Sequence, residues 1–295
     1  MHAALPWDAL AAALERAFVE GAHVPLRHAH ALDANDTLLL MPAWSADAIG
    51  VKVVTVMPGA AHTVQASYLL CDRTSGAALA LLDGEALTLR RTAAASALAA
   101  RHLARDDAST LLVVGSGRLA PWMARAHCAL RPGIERVAVW ARRAEARDAA
   151  ARELAAEGLP ASAASDLEHA VRHADIVCCA TTSTQPLVRG AWLAPGTHLD
   201  LAGGFRRDMR EADDAAVARA RIVVDTRVGA LAEAGDLAQP LERGVIAARH
   251  IAGELAELLR GEVRGRTAPN DITLFKSVGT ALEDLAAARL VVARL

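Results

Sequence analysis

Leu111-Leu112-Val113-Val114-Gly115-Ser116-Gly117-Arg118-Leu119-Ala120 decides the fold of this 295-residue chain. An apolar run enters a glycine turn of the form G-x-G-x-x-A, and an alanine-rich helical stretch follows. Gly115 permits the tight turn, and Gly117 lets a pyrophosphate approach the backbone. Ala120 allows the helix to pack close to the strand, with the first N–H groups of the helix facing the anion. Ser116, Arg118 and Leu119 complete the candidate cofactor loop. More than a hundred residues precede this turn. A second unit must occupy them, and it is the candidate for holding a substrate.

Outward from the turn the rhythm is strand, helix, strand, helix. Strands are expected at Leu111–Val114, Val137–Trp140, Ile176–Ala180, His198–Ala202 and Ile222–Val224, with Asp166 as the N-cap of one intervening helix. Such alternation with short connections implies a doubly wound parallel sheet. After Asp225 the pattern reads as mostly helical, and the last long helix begins near Ser277. Where the second strand ends, an NAD enzyme usually carries an acidic residue for the ribose 2′-hydroxyl. Here Ala141, Arg142 and Arg143 follow Trp140. Two cations suit a 2′-phosphate, so NADPH is favoured and NADH remains possible; the bland alternative is two solvated arginines at a helix start. Thr181, Thr182 and Ser183 end a strand at the carboxyl edge of the sheet and are candidates to line the dinucleotide.

Ahead of the fingerprint, residues 7 to 21 show helical spacing. Short apolar runs at Leu38–Met41, Ile49–Val56, Ser67–Leu70, Ala78–Leu82 and Ala86–Leu89 are separated by Gly50, Pro58-Gly59, Ser75-Gly76 and Asp83-Gly84, the punctuation of a strand-rich sheet. A long helix follows over Thr92–Leu103, and Asp106-Asp107 begins a linker.

Composition narrows the function classes. Hydrophobic residues make up 53% of the chain and the net charge is −2, which fits a soluble globular protein, and the scattered arginines give a nucleic-acid role little support. The N-terminal stretch is broken by Asp8, Glu15 and Arg16 and reads as a helix, not a signal peptide. No apolar run is long enough to span a bilayer. Cys71, Cys128, Cys178 and Cys179 form no C-x-x-C pair, so structural thiols in a reducing cytoplasm are expected, and no metal site.

Three cations stand out before the fingerprint. Lys52 interrupts the apolar strand Gly50–Val54, and a buried ammonium needs a fixed carboxylate or a bound anion. Arg91 is expected where a strand passes into a helix, and Arg27 lies in a separate segment. Each alone reads as a surface or structural residue; together they are candidates for a carboxylate-binding site.

The chain resembles the ornithine cyclodeaminase/μ-crystallin family over nearly its full length. The stretches carrying the likeness are Leu40-Met41-Pro42, Gly50-Val51-Lys52, Thr88–Ala94, Gly115–Ala120, Met209-Arg210-Glu211 and Phe275-Lys276-Ser277-Val278-Gly279. The resemblance implies a Rossmann domain, 108–275, inserted into a discontinuous α+β substrate and dimerisation domain, 1–107 with 276–295, and hence a homodimer. It also implies that Arg27, Lys52 and Arg91 grip a substrate carboxylate, with Thr63 as a further substrate contact. Cyclodeaminases carry an aspartate in the loop before the glutamate matched by Glu211; counting back gives Phe205, which can do no acid–base chemistry.

Val24–His28, Leu40–Trp44 and the Phe205–Glu211 loop are more similar to bacterial Δ1-pyrroline-2-carboxylate reductases. The implied reaction is NAD(P)H-dependent reduction of a small cyclic imino acid, with a five- or six-membered ring, to L-proline or L-pipecolate. Arg27 and Arg91 would hold the carboxylate, and Lys52 would add a third contact or pass a proton to the imine nitrogen. Lys52 and Arg91 are the catalytic candidates, and Phe205 would shield the ring. Ornithine cyclisation, alanine-type dehydrogenation and non-catalytic NADPH binding are the alternatives.

Overall fold

The computed structural model describes residues 1–295, which divide into two compact units: Met1–Ala95 with Gly279–Leu295, and Ser96–Val278.

The first unit is built on an antiparallel sheet whose five strands follow in chain order: β1 (His28–Ala31), β2 (Thr37–Trp44), β3 (Ala48–Val56), β4 (Val64–Asp72) and β5 (Ala78–Asp83). Alternation sets its two faces. In β3, Ala48, Gly50, Lys52 and Val54 are buried, whereas Ile49, Val51 and Val53 are half-exposed. Helix α1 (Trp7–Glu20) places Leu10, Leu14 and Phe18 at i, i+4 and i+8 and buries all three. It packs against the C-terminal helix, Ala281–Val292, which also covers β2 and β3. Each large apolar side chain so buried contributes about 1.5–3 kcal/mol.

Residues 86–89, expected as a strand, are helical. Helix α2 runs unbroken from Gly84 to Leu103, and Arg91 lies in its middle, not at a strand–helix junction. Asp83 starts it: its Oδ1 accepts the N–H groups of Glu85 and Ala86, each at 3.0 Å. A four-residue apolar run has no period of its own, so the cap decides. The unit boundary falls inside this helix, at Ala95/Ser96, where the sequence reading put it at residue 107. A continuous helix hides such a boundary, because no linker marks it.

The second unit is a parallel eight-stranded sheet with strands β6 (Thr110–Val114), β7 (Arg136–Trp140), β8 (Ala161–Ala163), β9 (Ile176–Cys179), β10 (His198–Leu201), β11 (Ala220–Val224), β12 (Ile251–Glu254) and β13 (Ile272–Lys276). Their spatial order is β12-β11-β13-β10-β9-β6-β7-β8. From β6 the chain builds one way through β7 and β8, then returns to add β9 and β10 on the other side. The switch point therefore lies between β6 and β9, where such sheets bind ligands.

The segment after Asp225 is mostly helical, as the sequence indicates, but not wholly so. It contributes two strands, one of which, β13, is central, and the last helix starts at Ala281, not near Ser277. Every residue of β13 is buried, so it shows no alternation, and the lysine at its end disguises it. Asp166 caps its helix as expected, accepting the His169 N–H at 3.1 Å. No helix is long and apolar enough to cross a membrane.

Candidate active site

The first unit gathers charge on the buried side of its sheet. Lys52, 3% exposed on β3, lies 2.7 Å from Asp284 Oδ2 and 3.3 Å from the Thr88 hydroxyl of α2. Arg91 donates from Nε to Asp284 Oδ1 (2.9 Å) and from Nη1 to Glu283 Oε2 (2.5 Å). Arg27, half-buried just before β1, donates to the Gly279 carbonyl at 3.2 Å. Gly279 (φ +82°) lies so close that a Cβ there would stand 2.8 Å from Arg91 Nη2. The three cations predicted from separate segments thus belong to one cluster.

Two carboxylates of the C-terminal helix complete the cluster, and the sequence reading did not name them. Glu283 and Asp284 are buried within the apolar stretch Ala281–Ala288. The signal existed: acids inside an apolar helical run are as anomalous as Lys52 inside an apolar strand. Three formal cations against two formal anions leave one positive charge, which suits one substrate carboxylate. Burial draws the Lys52 ammonium down to about 8, with Arg91 and Arg27 acting the same way and Asp284 opposing them. Burial would raise the Asp284 carboxyl, but Arg91 and Lys52 more than offset it and hold it below the ordinary value. Tyr68 stands opposite Lys52 in the β3–β4 register, and its hydroxyl is pushed upward by burial and then by Asp284. Thr63 is exposed in the loop between β3 and β4, and its hydroxyl makes no bond to the cluster. Its carbonyl accepts the Met57 N–H at 2.7 Å.

In the second unit the glycine turn has the shape a dinucleotide needs. Gly115 adopts φ +132°, and a Cβ there would meet the Ala180 carbonyl at 2.6 Å. At Gly117 a Cβ would meet nothing within 4 Å, so the loop has open space above it. Ala120, 1% exposed, opens helix α3 (Ala120–Leu130), whose first turn has no side-chain cap. A helix start without a side-chain cap, beside open space, fits a pyrophosphate. Ser116 and Leu119 are half-buried and Arg118 is exposed around this turn. Arg142 and Arg143, at the end of β7, are exposed and form no ion pair. A nicotinamide dinucleotide is therefore accommodated by residues already in place.

Beyond β9, Thr181 donates its N–H to Glu211 Oε1 at 2.7 Å, and Thr182 is exposed. Ser183 is buried, its hydroxyl given to the Gln185 carbonyl at 2.7 Å, so it shapes the loop. Phe205, 44% exposed, follows β10 in this second unit. Buried Glu211, Asp236 and Lys276 lie beneath that loop. Burial lifts the Glu211 carboxyl to about 7 against the pull of Lys276.

His127, Cys178 and Asp200 bring three possible ligand atoms within 4.8 Å of one another, a grouping their distant sequence positions conceal. Asp200 already has protein partners there: Ser96 Oγ at 3.0 Å and His127 Nε2 at 3.1 Å. We assign this group to the hydrogen-bonded core and not to a metal.

The family model described as ornithine cyclodeaminase/mu-crystallin family matches residues 3–295. Δ1-Pyrroline-2-carboxylate reductase of Paracoccus denitrificans is 43% identical over 254 residues, covering 84% of this chain and 80% of its own. The Thermococcus litoralis Δ1-pyrroline-2-carboxylate reductase, solved with NADH and L-proline, superposes with a TM-score of 0.92 at 37% identity, covering 98% of this chain and 93% of its own. An archaeal alanine dehydrogenase dimer with bound NAD superposes at 0.93 with 28% identity, covering 99% and 92%.

Proposed function

The chain belongs to the ornithine cyclodeaminase/mu-crystallin family, and from that premise we propose that it reduces a cyclic ketimine acid, Δ1-pyrroline-2-carboxylate or its six-membered analogue, to L-proline or L-pipecolate. The cluster of Arg27, Lys52 and Arg91, one charge in excess of Glu283 and Asp284, is the observation that carries this reading. Arg27 and Arg91 orient the substrate carboxylate through directed N–H donors. Lys52 holds a proton that it can share with that carboxylate or give to the ring nitrogen. The nicotinamide, when bound, supplies hydride to the adjacent ring carbon. Phe205 offers an apolar surface and no acid, which fits reduction of a preformed imine and not deamination of ornithine. Thr63 is a further substrate contact on this reading.

Purified protein mixed with reduced nicotinamide dinucleotide and the five-membered ketimine should consume nicotinamide absorbance and form L-proline. Absence of turnover with both ring sizes would overturn the assignment. Proline and ammonia from ornithine without a reductant would establish cyclodeamination instead.

NADPH is the favoured reductant on this reading, with NADH accepted. The support is the pair of exposed, unpaired arginines where an acid would select NADH. Replacing Arg142 and Arg143 together by Ala is expected to raise KM for NADPH at least about tenfold, with little change for NADH. Equal changes would reject the phosphate role.

The working form on this reading is a cytoplasmic homodimer. Its four cysteines are all free, as a reducing compartment maintains them. Pro42, Val51, Leu69 and Leu81 form a cross-strand row over β2–β5 on the face of the sheet away from the helices, with Leu69 38% and Leu81 75% exposed. A second copy pairing the same face would cover that row.

A further inference from the structure

Lys276, Asp236 and Glu211 are each fully buried in the second unit, yet they occur on three different segments. The Lys276 ammonium donates to the Gly203 carbonyl and lies 3.3 Å from Asp236 Oδ2. Asp236 Oδ1 accepts the N–H groups of Glu211 (2.8 Å) and Ala212 (3.0 Å). Glu211 Oε1 accepts the Thr181 N–H at 2.7 Å. The two glycines between them fit so closely that side chains are excluded. A Cβ at Gly203 would collide with the Thr181 carbonyl and the Glu211 carboxylate. One at Gly204 (φ +55°) would collide with Asp236 and stand 3.2 Å from Lys276 Nζ. One group of three charges therefore clasps the turns after β9 and β10.

A buried charge cluster is a poor way to gain stability, because apolar residues of similar volume pack as well without desolvation. Its position is more telling. The pyrophosphate turn follows β6, and the ribose-selecting position follows β7. The other half of a dinucleotide must extend the opposite way from β6, over the carboxyl ends of β9 and β10. Those are the ends that Lys276 and Glu211 hold.

We propose that Lys276 is a positioning residue: by gripping the Gly203 carbonyl against Asp236, it presets the Gly203-Gly204 turn and the Phe205–Met209 loop that receive the nicotinamide half. The far side of that loop is fastened by backbone contacts, Gly235 N–H to the Arg206 carbonyl at 3.2 Å and Met209 N–H to the same carbonyl at 3.0 Å. Lys276 supplies the one buried side-chain donor to the turn. The inference rests on the reductase reading only for what is bound there.

Two variants test it. Lys276→Met removes the donor and leaves two carboxylates unbalanced, which also weakens the fold. Lys276→Met with Glu211→Gln restores the formal charge of the cluster without restoring a lysine donor to Gly203. Thermal melting of the protein without nucleotide, NADH binding by fluorescence titration, and KM and kcat for the ketimine are measured for both. The double variant is expected to regain melting temperature over the single one, yet bind NADH at least about tenfold more weakly and lose kcat more than ketimine KM. NADH binding within about twofold of the parent would overturn the proposal and leave the cluster purely structural. Should both variants fail to fold, hydrogen exchange of the nucleotide-free parent decides. Protected Gly203 and Met209 amides support a preset turn, and free exchange in a folded protein overturns it. Lysine-dependent NADH binding without turnover of any cyclic imine would sink the reductase reading and leave this one standing.

Discussion

A single proton on Lys52 determines whether the first unit offers an ammonium or a neutral amine to an acid. Burial brings that transition to about 8. Both carboxylate binding and proton donation need the charged form, so kcat/KM should fall on the alkaline side with a midpoint near that value. A pH–rate profile checks this, with Lys52→Arg as the control whose charge persists. Retention of the alkaline limb in that variant would assign the limb to another group. Stability runs the other way at this residue. Its folded value lies below the ordinary one of 10.5, so between the two the unfolded chain binds more protons, and stability rises with pH as activity falls. The opposite signs separate loss of function from loss of fold.

Helix α2 shows what one cap controls. Asp83 satisfies two otherwise unpaired N–H groups at its start. Asp83→Ala should cost about 1 kcal/mol, read as a lower melting temperature, and raise the ketimine KM because Arg91 rides on that helix. An unchanged KM would mean that later turns fix Arg91 unaided. The same helix marks the limit of what the sequence discloses. The strand–turn–helix at Leu111–Ala120 was legible because apolar run, glycines and helix coincide within ten residues. The first turns of α2 and the whole of β13 were not, since a short buried run carries no period until its neighbours are known. Among site residues, Arg27, Lys52 and Arg91 were visible as charges out of place. Their acidic partners were not matched to them, because Arg91 meets Glu283 and Asp284 across separations of 192 and 193 residues. No local pattern encodes such a pairing. Asp236 escaped notice for the same reason, and Lys276 was read only as part of the Phe275–Gly279 stretch, without its partner.

For the molecule as a whole, the apolar row on the outer sheet face predicts association. Leu69→Asp with Leu81→Asp should convert a dimer to a monomer in light scattering behind gel filtration, with the thermal transition of the nucleotide unit retained. A dimer that survives both charges would place the interface elsewhere. Timing follows from the same architecture, because the first unit is written in two pieces. Its sheet is complete once β5 ends at Asp83, but the helix bearing Glu283 and Asp284 is made only after the 183 residues of Ser96–Val278. At roughly 5–20 residues per second, a growing chain waits about 10–40 s for it. Through that interval Lys52 and Arg91 lack their carboxylates and the inner sheet face lacks its cover; only at its end, with β13 made, does the nucleotide unit have every strand it needs. A chain released at Val278 should therefore show a protease-resistant nucleotide unit and a protease-sensitive sheet. Birth order, and not only the final contacts, sets where this chain is most vulnerable.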